Sequence, residues 1–334
     1  MPPPLFTVLI DTFNYAHFIE EAVESVLNQA FPANQVEILV VDDGSTDNTA
    51  ERLKQYGSRV TYLYKPNGGQ ASAFNLGLAH ATGEYVALLD ADDYFLPGKL
   101  RRLAEAFEKA PEAGMVYHRL EEFNSQTGAR TDGSFVALSG FVSRDRKALL
   151  SYVLYPTSAL AFRRRLLEPL LPIPEELTIQ ADSHLTGLII FLAPIAAISE
   201  SLAVYRVHGN NLFNVPGSGF DLKRTERRIS TRKFLMDDMK HWLRANGHNP
   251  DEPVLREFFM QWFLTQEADE FTINPPSRWR LFLHLIRYNK YFRPRMSARH
   301  LAMNYLQAFA APVLGPNHLH LVEDVVKKLK SKTN

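Results

Sequence analysis

Six aspartates stand where apolar runs end. Asp11 follows the run 6–10, Asp42 and Asp43 follow 36–41, and Asp90, Asp92 and Asp93 follow 85–89. If the runs are parallel strands, these acids lie at or just past the strands' C-terminal ends. That is the edge of an open α/β sheet where ligands bind. Carboxylates gathered on one cleft repel one another, and a cation or hydrogen-bond donors must offset the charge. Asp-X-Asp on a tight turn offers oxygens to a hard divalent ion. Mg2+ or Mn2+ takes such ligands and shares them with substrate phosphates, so a metal-bridged nucleotide diphosphate would resolve the electrostatics. An isolated aspartate at such a place is a turn residue or helix cap, and Asp47 is read that way, as is one of the neighbours Asp42 and Asp43. Turns do not require an acid at every strand end, so the set as a whole points to chemistry.

The elements that would position these acids alternate. Residues 18–29 carry apolar side chains at helical spacing. Ser45 and Thr46 are natural caps for a helix through Ala50, Leu53 and Tyr56. A third strand covers 60–64 and leads through Asn67, Gly68 and Gly69 into a helix over 70–81. Pro97 opens a further helix as a first-turn proline. Continuous apolar strands separated by amphipathic helices predict a Rossmann-like, open doubly wound, mostly parallel sheet covered on both faces. Residues 115–143 read as short β-like runs with polar turns, and 144–215 return to helix and strand. Pro216-Gly217-Ser218-Gly219 reads as a linker, and the text is helical from there to the end. The expected division is therefore a catalytic domain over 1–215 and a helical region over 216–334.

Composition narrows the function. The 334 residues, 46% apolar and 22% charged, describe a folded chain of about two domains by the usual domain size. Thirty-seven basic and thirty-seven acidic residues balance, which gives no overall attraction to nucleic acid. There is no cysteine, which excludes a disulfide scaffold, a Cys-zinc site and a thiol nucleophile. The N-terminus lacks the basic region and cleavage site of a signal peptide, and no run of about 20 apolar residues is expected to cross a membrane. The first strand is not followed by Gly-X-Gly-X-X-Gly, and no Gly-Lys-Ser or Gly-Lys-Thr occurs, which argues against dinucleotide-dependent dehydrogenases and P-loop phosphotransferases.

The stretches DTFNYAHFIEEAVESVLNQ, VEILVVDDGSTDNT, NGGQASAFNLGLAHATGEYVALLDADD and LPGKL resemble family-two glycosyltransferases of the GT-A fold, and the resemblance extends over residues 7–208. It implies transfer of a sugar from a nucleotide diphosphate donor, UDP-sugar foremost, to an acceptor hydroxyl, with inversion and with Mn2+ or Mg2+. By the resemblance, Asp43 contacts the nucleotide base, and Asp11, Thr12 and Phe13 line that pocket. Gly68, Gly69 and Gln70 let the backbone approach the nucleotide. In Asp90-Ala91-Asp92, Asp92 binds the metal and Asp90 lies nearer the ribose, while Asp93 supports the turn. Asp182, opening a helix, is the general base; Ala181 stands where the family has a first acid. Arg206 sits near the diphosphate, His208 reaches the metal, and Thr157 and Ser158 belong to the acceptor side. The substitution at Ala181 motivates the alternative of a transfer-inactive nucleotide-sugar-binding or scaffold protein.

The tail offers no motif that does chemistry. Residues 278–300 hold seven Arg or Lys and no acid, interleaved with Trp279, Leu281, Phe282, Leu283, Leu285 and Ile286. The simplest reading is a helix with its basic face in water. A peripheral membrane contact and a homodimer interface are the functional alternatives. The family context is a cytoplasmic enzyme, at the inner face of the membrane, acting on a glycan, glycolipid or glycoprotein acceptor, with no nucleic-acid partner.

Overall fold

The computed structural model describes residues 3–209, 211, 221–293, 304–306 and 308–309. The chain divides into two compact units, Met1–Ala148 with Tyr152–Gly219, and Leu149–Ser151 with Phe220–Asn334. The expected boundary at 215/216 and its Pro-Gly-Ser-Gly linker lie outside the described residues.

The first unit is built on one mixed sheet. Its strands are β1 (Phe6–Thr12), β2 (Val36–Asp42), β3 (Thr61–Tyr64), β4 (Tyr85–Asp90), β5 (Tyr94–Phe95), β6 (Met115–Asn124), β7 (Arg130–Asp132), β8 (Leu160–Arg163) and β9 (Ile195–Val207). Their order is β3-β2-β1-β4-β8-β6-β9-β5, with β7 paired to β6. The β3-β2-β1-β4 half is wholly parallel, as the alternating text predicts. β8 then runs antiparallel to both β4 and β6, and β9 returns parallel to β6. The sheet is therefore parallel in one half and mixed in the other, with helices packed on it.

Five residues of β1, from Phe6 to Ile10, are fully or almost fully buried. Burying each of the four apolar side chains among them stabilises by roughly 1.5–3 kcal/mol, which is why a central strand reads as a nearly continuous apolar run. The helices of this unit are α1 (Ala16–Leu27), α2 (Thr49–Leu53), α3 (Gln70–His80), α4 (Lys99–Lys109), α5 (Arg146–Ser151, whose last turn falls in the second unit) and α6 (Ala181–Leu192). α1 buries Ala16, Ile19, Ala22, Val23 and Val26, the i, i+3, i+4 stripe of an amphipathic helix.

Two helix starts differ from expectation. Ser45 and Thr46 do not cap α2. The Ser45 hydroxyl accepts from Asn14 N at 2.8 Å, and Thr46 N donates to Asn14 Oδ1 at 2.8 Å, so both brace the loop after β1. Asp47 takes over, accepting from Thr49 N at 3.0 Å and from Ala16 N at 3.0 Å, a structural use as expected. Pro97 lies ahead of α4 rather than at its first turn, because Gly98 (φ 83°) forms the left-handed entry and Lys99 begins the helix.

The second unit contains α7 (Leu222–Ala245), α8 (Pro253–Ile273) and α9 (Arg278–Phe292). Leu235, Met239, Leu243, Leu255, Phe258, Phe259 and Leu264 are buried in it. The aromatic cluster of α8 divides: Phe258 and Phe259 are core, whereas Phe263 is 41% exposed. Asp269 joins Arg228 at 3.0 Å and Arg232 at 2.7 Å, tying α8 to α7.

Candidate active site

The in-register pairing of β1 with β4 sets Asp11 beside Asp90. The chain then turns, Asp93 N donating to Asp90 O at 3.0 Å, and brings three carboxylates together: oxygens of Asp90, Asp92 and Asp93 lie within 4.8 Å of one another. Removal from water, with the charges of Asp92 and Asp182 adding to it, pushes Asp11 up to about 7 against a hydrogen bond with Asp90. Asp90 and Asp93 are raised well above the usual carboxylate range, chiefly by burial and then by neighbouring acids. Asp11 Oδ1 and Asp93 Oδ2 are buried without a hydrogen-bond partner. Oxygen-only donors, crowded, desolvated and partly unpartnered, suit a hard divalent cation.

His208 Nε2 lies 2.9 Å from Asp92 Oδ2. Its ring packs against Phe18 (4.9 Å between centroids) and edge-on to Tyr15 (5.8 Å). Asn211 fixes the pair, its Oδ1 accepting from His208 N at 2.5 Å and its Nδ2 reaching Asp92 Oδ2 at 3.4 Å. Arg206, expected near the diphosphate, is bonded to the acidic turn. Its Nε donates to Asp92 O at 2.8 Å, its backbone N donates to Asp93 Oδ1 at 2.8 Å, and its Nη2 pairs with Glu21. The guanidinium lies 4.8 Å from the Phe18 ring and 5.3 Å from Tyr94. Arg206 thus holds the acidic turn in place.

Asp182 sits in the first turn of α6, where the helix dipole favours a negative charge. Gln180 enters that helix with φ 61°, a left-handed conformation uncommon for a residue with a side chain. Such backbone strain is found where surrounding structure fixes a functional group. Burial pushes Asp182 up to about 6, while hydrogen bonds from Ser183 and Thr157 pull it down. Thr157 Oγ1 donates to Asp182 Oδ2 at 3.3 Å.

Gln70 opens α3 and joins both halves of the site. Its Oε1 accepts from Ala181 N at 3.0 Å, and its Nε2 lies 3.4 Å from both Asp90 Oδ1 and Thr157 Oγ1. Ser158 adds a second tie: its Oγ accepts from Asp90 N at 3.1 Å. Thr157 and Ser158 therefore support the acids directly. Ala181, where an acid is expected from the family pattern, is fully buried.

Asp42 and Asp43 are not among the three carboxylates that lie within 4.8 Å of one another, and both are engaged in hydrogen bonds of their own. Asp42 accepts from Tyr62 OH at 2.7 Å and from Ser45 N at 2.7 Å. Asp43 accepts from Gly68 N (2.9 Å), Gly69 N (2.7 Å), Lys65 Nζ (2.8 Å) and Asn67 Nδ2 (3.1 Å). Their strand is one position out from β1, and loop amides take up their charge. Asp43 thereby shapes the Gly68-Gly69 loop. Gly69 has φ 89°, and a Cβ there would stand 2.5 Å from Thr178 Cα, so only glycine fits without displacement. Across from this loop, Phe13 is 45% exposed, while Thr12 Oγ1 is buried and unpartnered.

Sequence reasoning missed Lys99, Glu21, Asn211 and Tyr205. Lys99 is wholly buried, its Nζ donating to Ser158 O at 2.8 Å over the Phe95 ring at 3.5 Å. Its signal was present: Lys99, Leu103 and Phe107 share the i, i+4, i+8 face that α4 buries.

The model of glycosyl transferase family 2 matches residues 7–171. An uncharacterized glycosyltransferase of Nostoc sp. is 38% identical over 215 residues, 61% of this chain and 65% of that protein. One of Rickettsia typhi is 35% identical over 115 residues, 34% of this chain and 36% of its own length. The chondroitin synthase of Pasteurella multocida is 37% identical over 137 residues, 40% of this chain and 13% of the synthase. The chain thus spans just under two thirds of the first of these relatives and much less of the others. Among solved structures, S. aureus TarS 1-349 in complex with UDP shares the fold with a TM-score of 0.60 at 19% identity, covering 97% of this chain and 91% of that one. The mannosyltransferase PcManGT of Pyrobaculum calidifontis in complex with GDP-Man and Mn2+ gives a TM-score of 0.54 at 21% identity, over 94% and 87%.

Proposed function

We propose, from the match of residues 7–171 to the model of glycosyl transferase family 2, that this chain transfers a sugar from a nucleotide diphosphate, a UDP-sugar by preference, to an acceptor hydroxyl with inversion at the anomeric carbon. The observation that carries this reading is the linkage of Asp182 to the Asp90–Asp93 turn through Gln70 and Thr157. An inverting transfer needs a carboxylate on one side of the anomeric carbon and a charge-stabilising site for the diphosphate on the other.

In the proposed step the acceptor oxygen attacks the anomeric carbon and its proton passes to Asp182. The bond between that carbon and the β-phosphate oxygen breaks, and the nucleoside diphosphate leaves with the electron pair. A base that titrates near 6 is deprotonated at neutral pH yet basic enough to accept a proton. Asp92 would hold Mn2+ or Mg2+, with Asp90, Asp93 and His208 as the neighbouring donors. When bound, such an ion supplies positive charge for the departing diphosphate. Thr12, Phe13, Asp11, Asp43, Gly68 and Gly69 form the donor side, Phe13 offering an exposed ring for the base. Arg206 acts by positioning Asp92 and Asp93, and Thr157 by orienting Asp182. The complexes of the fold neighbours with UDP, UDP-GlcNAc and GDP-Man are consistent with a nucleotide-sugar donor.

The natural acceptor is a glycan, glycolipid or glycoprotein. No helix among the described residues is long and apolar enough to cross a membrane. Trp279 (68% exposed) and Leu283 (49% exposed) on α9, beside Arg278 and Arg287, suit peripheral contact with the cytoplasmic face of an anionic membrane; residues 294–300 of that basic run lie outside the described residues. A thermal-shift panel of UDP-, GDP- and dTDP-sugars with and without Mn2+ tests the donor reading. A selective, metal-dependent shift is expected, and no shift with any nucleotide sugar would overturn it.

A further inference from the structure

A cavity of about 330 Å3 opens in the first unit. Its size falls in the range of about 300–1,000 Å3 usual for small-molecule sites. Glu122, Phe135, Leu154, Tyr155, Pro156 and Tyr205 contribute to its lining. Two of these connect it to the reacting groups. Pro156 precedes Thr157, the residue that orients Asp182, and Tyr205 precedes Arg206. Arg206 in turn donates from its backbone N to Asp93 Oδ1 and from its Nε to Asp92 O, both at 2.8 Å.

One wall of the cavity is preformed. Residues 133–138 form no strand, yet two tyrosines clamp them. Tyr155 OH donates to Val136 O at 2.8 Å and accepts from Val136 N at 2.7 Å. Tyr117 OH accepts from Leu138 N at 2.6 Å and lies 2.8 Å from Val136 O. The Phe135 and Tyr155 rings lie 5.6 Å apart, so the wall presents aromatic surface held in a fixed position.

The charge of the cavity is one-sided. Glu122 is the charged residue of its lining, which contains no Lys, Arg or His. Among the described residues the Glu122 carboxylate makes no hydrogen bond or ion pair. Its Oε1 lies near Gly133, where an added Cβ would stand 3.5 Å from it. Arg119 lies over the Phe135 ring at 5.6 Å and is paired with Asp132 at 3.7 Å. An anionic ligand would meet Glu122 with no basic side chain of the lining to offset the repulsion.

We propose that this cavity is the acceptor subsite and that it takes an uncharged sugar ring, not a phosphorylated or otherwise anionic acceptor. The apolar face of the ring packs on Phe135 and Tyr155, and a ring hydroxyl donates to Glu122. The attacking hydroxyl then points to the Asp182 side. This inference rests on the transferase reading and specifies its acceptor class.

Saturation-transfer NMR on the full chain tests it, with methyl glycosides of glucose, galactose and N-acetylglucosamine as probes and glucose 6-phosphate as the anionic counterpart. UDP binding is measured in parallel. The expected result is signal from at least one methyl glycoside and none from glucose 6-phosphate. Leu154→Trp, which fills the cavity, should weaken glycoside binding at least about tenfold, and Glu122→Gln about threefold to tenfold, with UDP affinity unchanged within about twofold. Glu122→Lys should admit glucose 6-phosphate. The proposal is overturned if the phosphorylated sugar binds wild type as well as the neutral ones, if Leu154→Trp leaves binding intact, or if no glycoside binds. Glycoside binding without UDP binding would instead sink the donor reading and leave the cavity a sugar site.

Discussion

Lys99 Nζ donates to Ser158 O at 2.8 Å in the interior of the protein, and the hydroxyl of the same serine accepts from the backbone N of Asp90. A buried lysine is thus linked through Ser158 to the acidic turn. Desolvation pulls Lys99 well below the usual lysine range, and the charge of Asp93 opposes that pull. Replacing Lys99 with Met keeps the volume but leaves the Ser158 carbonyl orphaned, at a cost of about 1–3 kcal/mol. The Tm should fall by several degrees, about 2–4 °C per kcal/mol for a chain of this size class, as read by calorimetry. An unchanged Tm would mean that the lysine is not anchored as described.

Asp182→Asn should lower transfer by about 10²- to 10⁴-fold, the usual contribution of a general base. UDP affinity, measured by calorimetry, should stay within about twofold. A variant that transfers at the wild-type rate would exclude Asp182 as the base. Wild type without transfer or donor hydrolysis would favour a binding protein, with the buried Ala181 as the first place to look.

Thr157→Val removes a hydrogen bond that favours the charged form of Asp182. Wild-type transfer should rise as pH increases through about 6. The variant's rising limb should lie at higher pH, and kcat at pH 6 should fall more than kcat at pH 8. A limb that does not move separates the hydroxyl from the titrating group.

The crowded acids should make stability pH-dependent in an unusual direction. Asp11 and Asp182 titrate near 7 and 6 in the folded chain, above their ordinary 3.8. The folded state therefore holds more protons than the unfolded state between those values. Its contribution is present below 3.8 and is lost as pH rises through 6 to 7. With chelator, Tm should drop between pH 5 and pH 8, and Mn2+ should restore more at pH 8 than at pH 5. Asp92→Asn should remove most of the Mn2+ effect. A chelated protein as stable at pH 8 as at pH 5 would contradict the electrostatics.

Gly69→Ala forces a side chain into positive φ and into the Thr178 backbone. We expect a loss of at least about 1–3 kcal/mol in urea unfolding, the cost of a strained residue, with weakened UDP binding because the amide of Gly69 no longer meets Asp43.

The parallel half of the sheet was legible because buried strands advertise themselves as unbroken apolar runs, and the acids sit where those runs stop. The second half was not. β8 runs antiparallel to β6, and the site residues of this half, Thr157 and Ser158 just before β8 and Tyr205 on β9, have neighbours from distant sequence. Asp42 and Asp43 take hydrogen bonds from loop amides whose placement the text does not reveal. Lys99 was readable only as an anomaly on an apolar face. Arg206 was placed near the right residues, but its donors are spent on Asp92 and Glu21, which spacing alone does not encode.

Gln70 touches the end of β4, the start of α6 and Thr157 with one amide group. A shift of the Gly68-Gly69 loop on donor entry would therefore tug on the helix carrying the base. On the proposed roles, such a tether would impose sequence in time: the nucleotide sugar first, the proton acceptor then drawn into line, the second substrate last. Initial-rate patterns would then be those of a compulsory-order reaction, with the nucleoside diphosphate the last to leave.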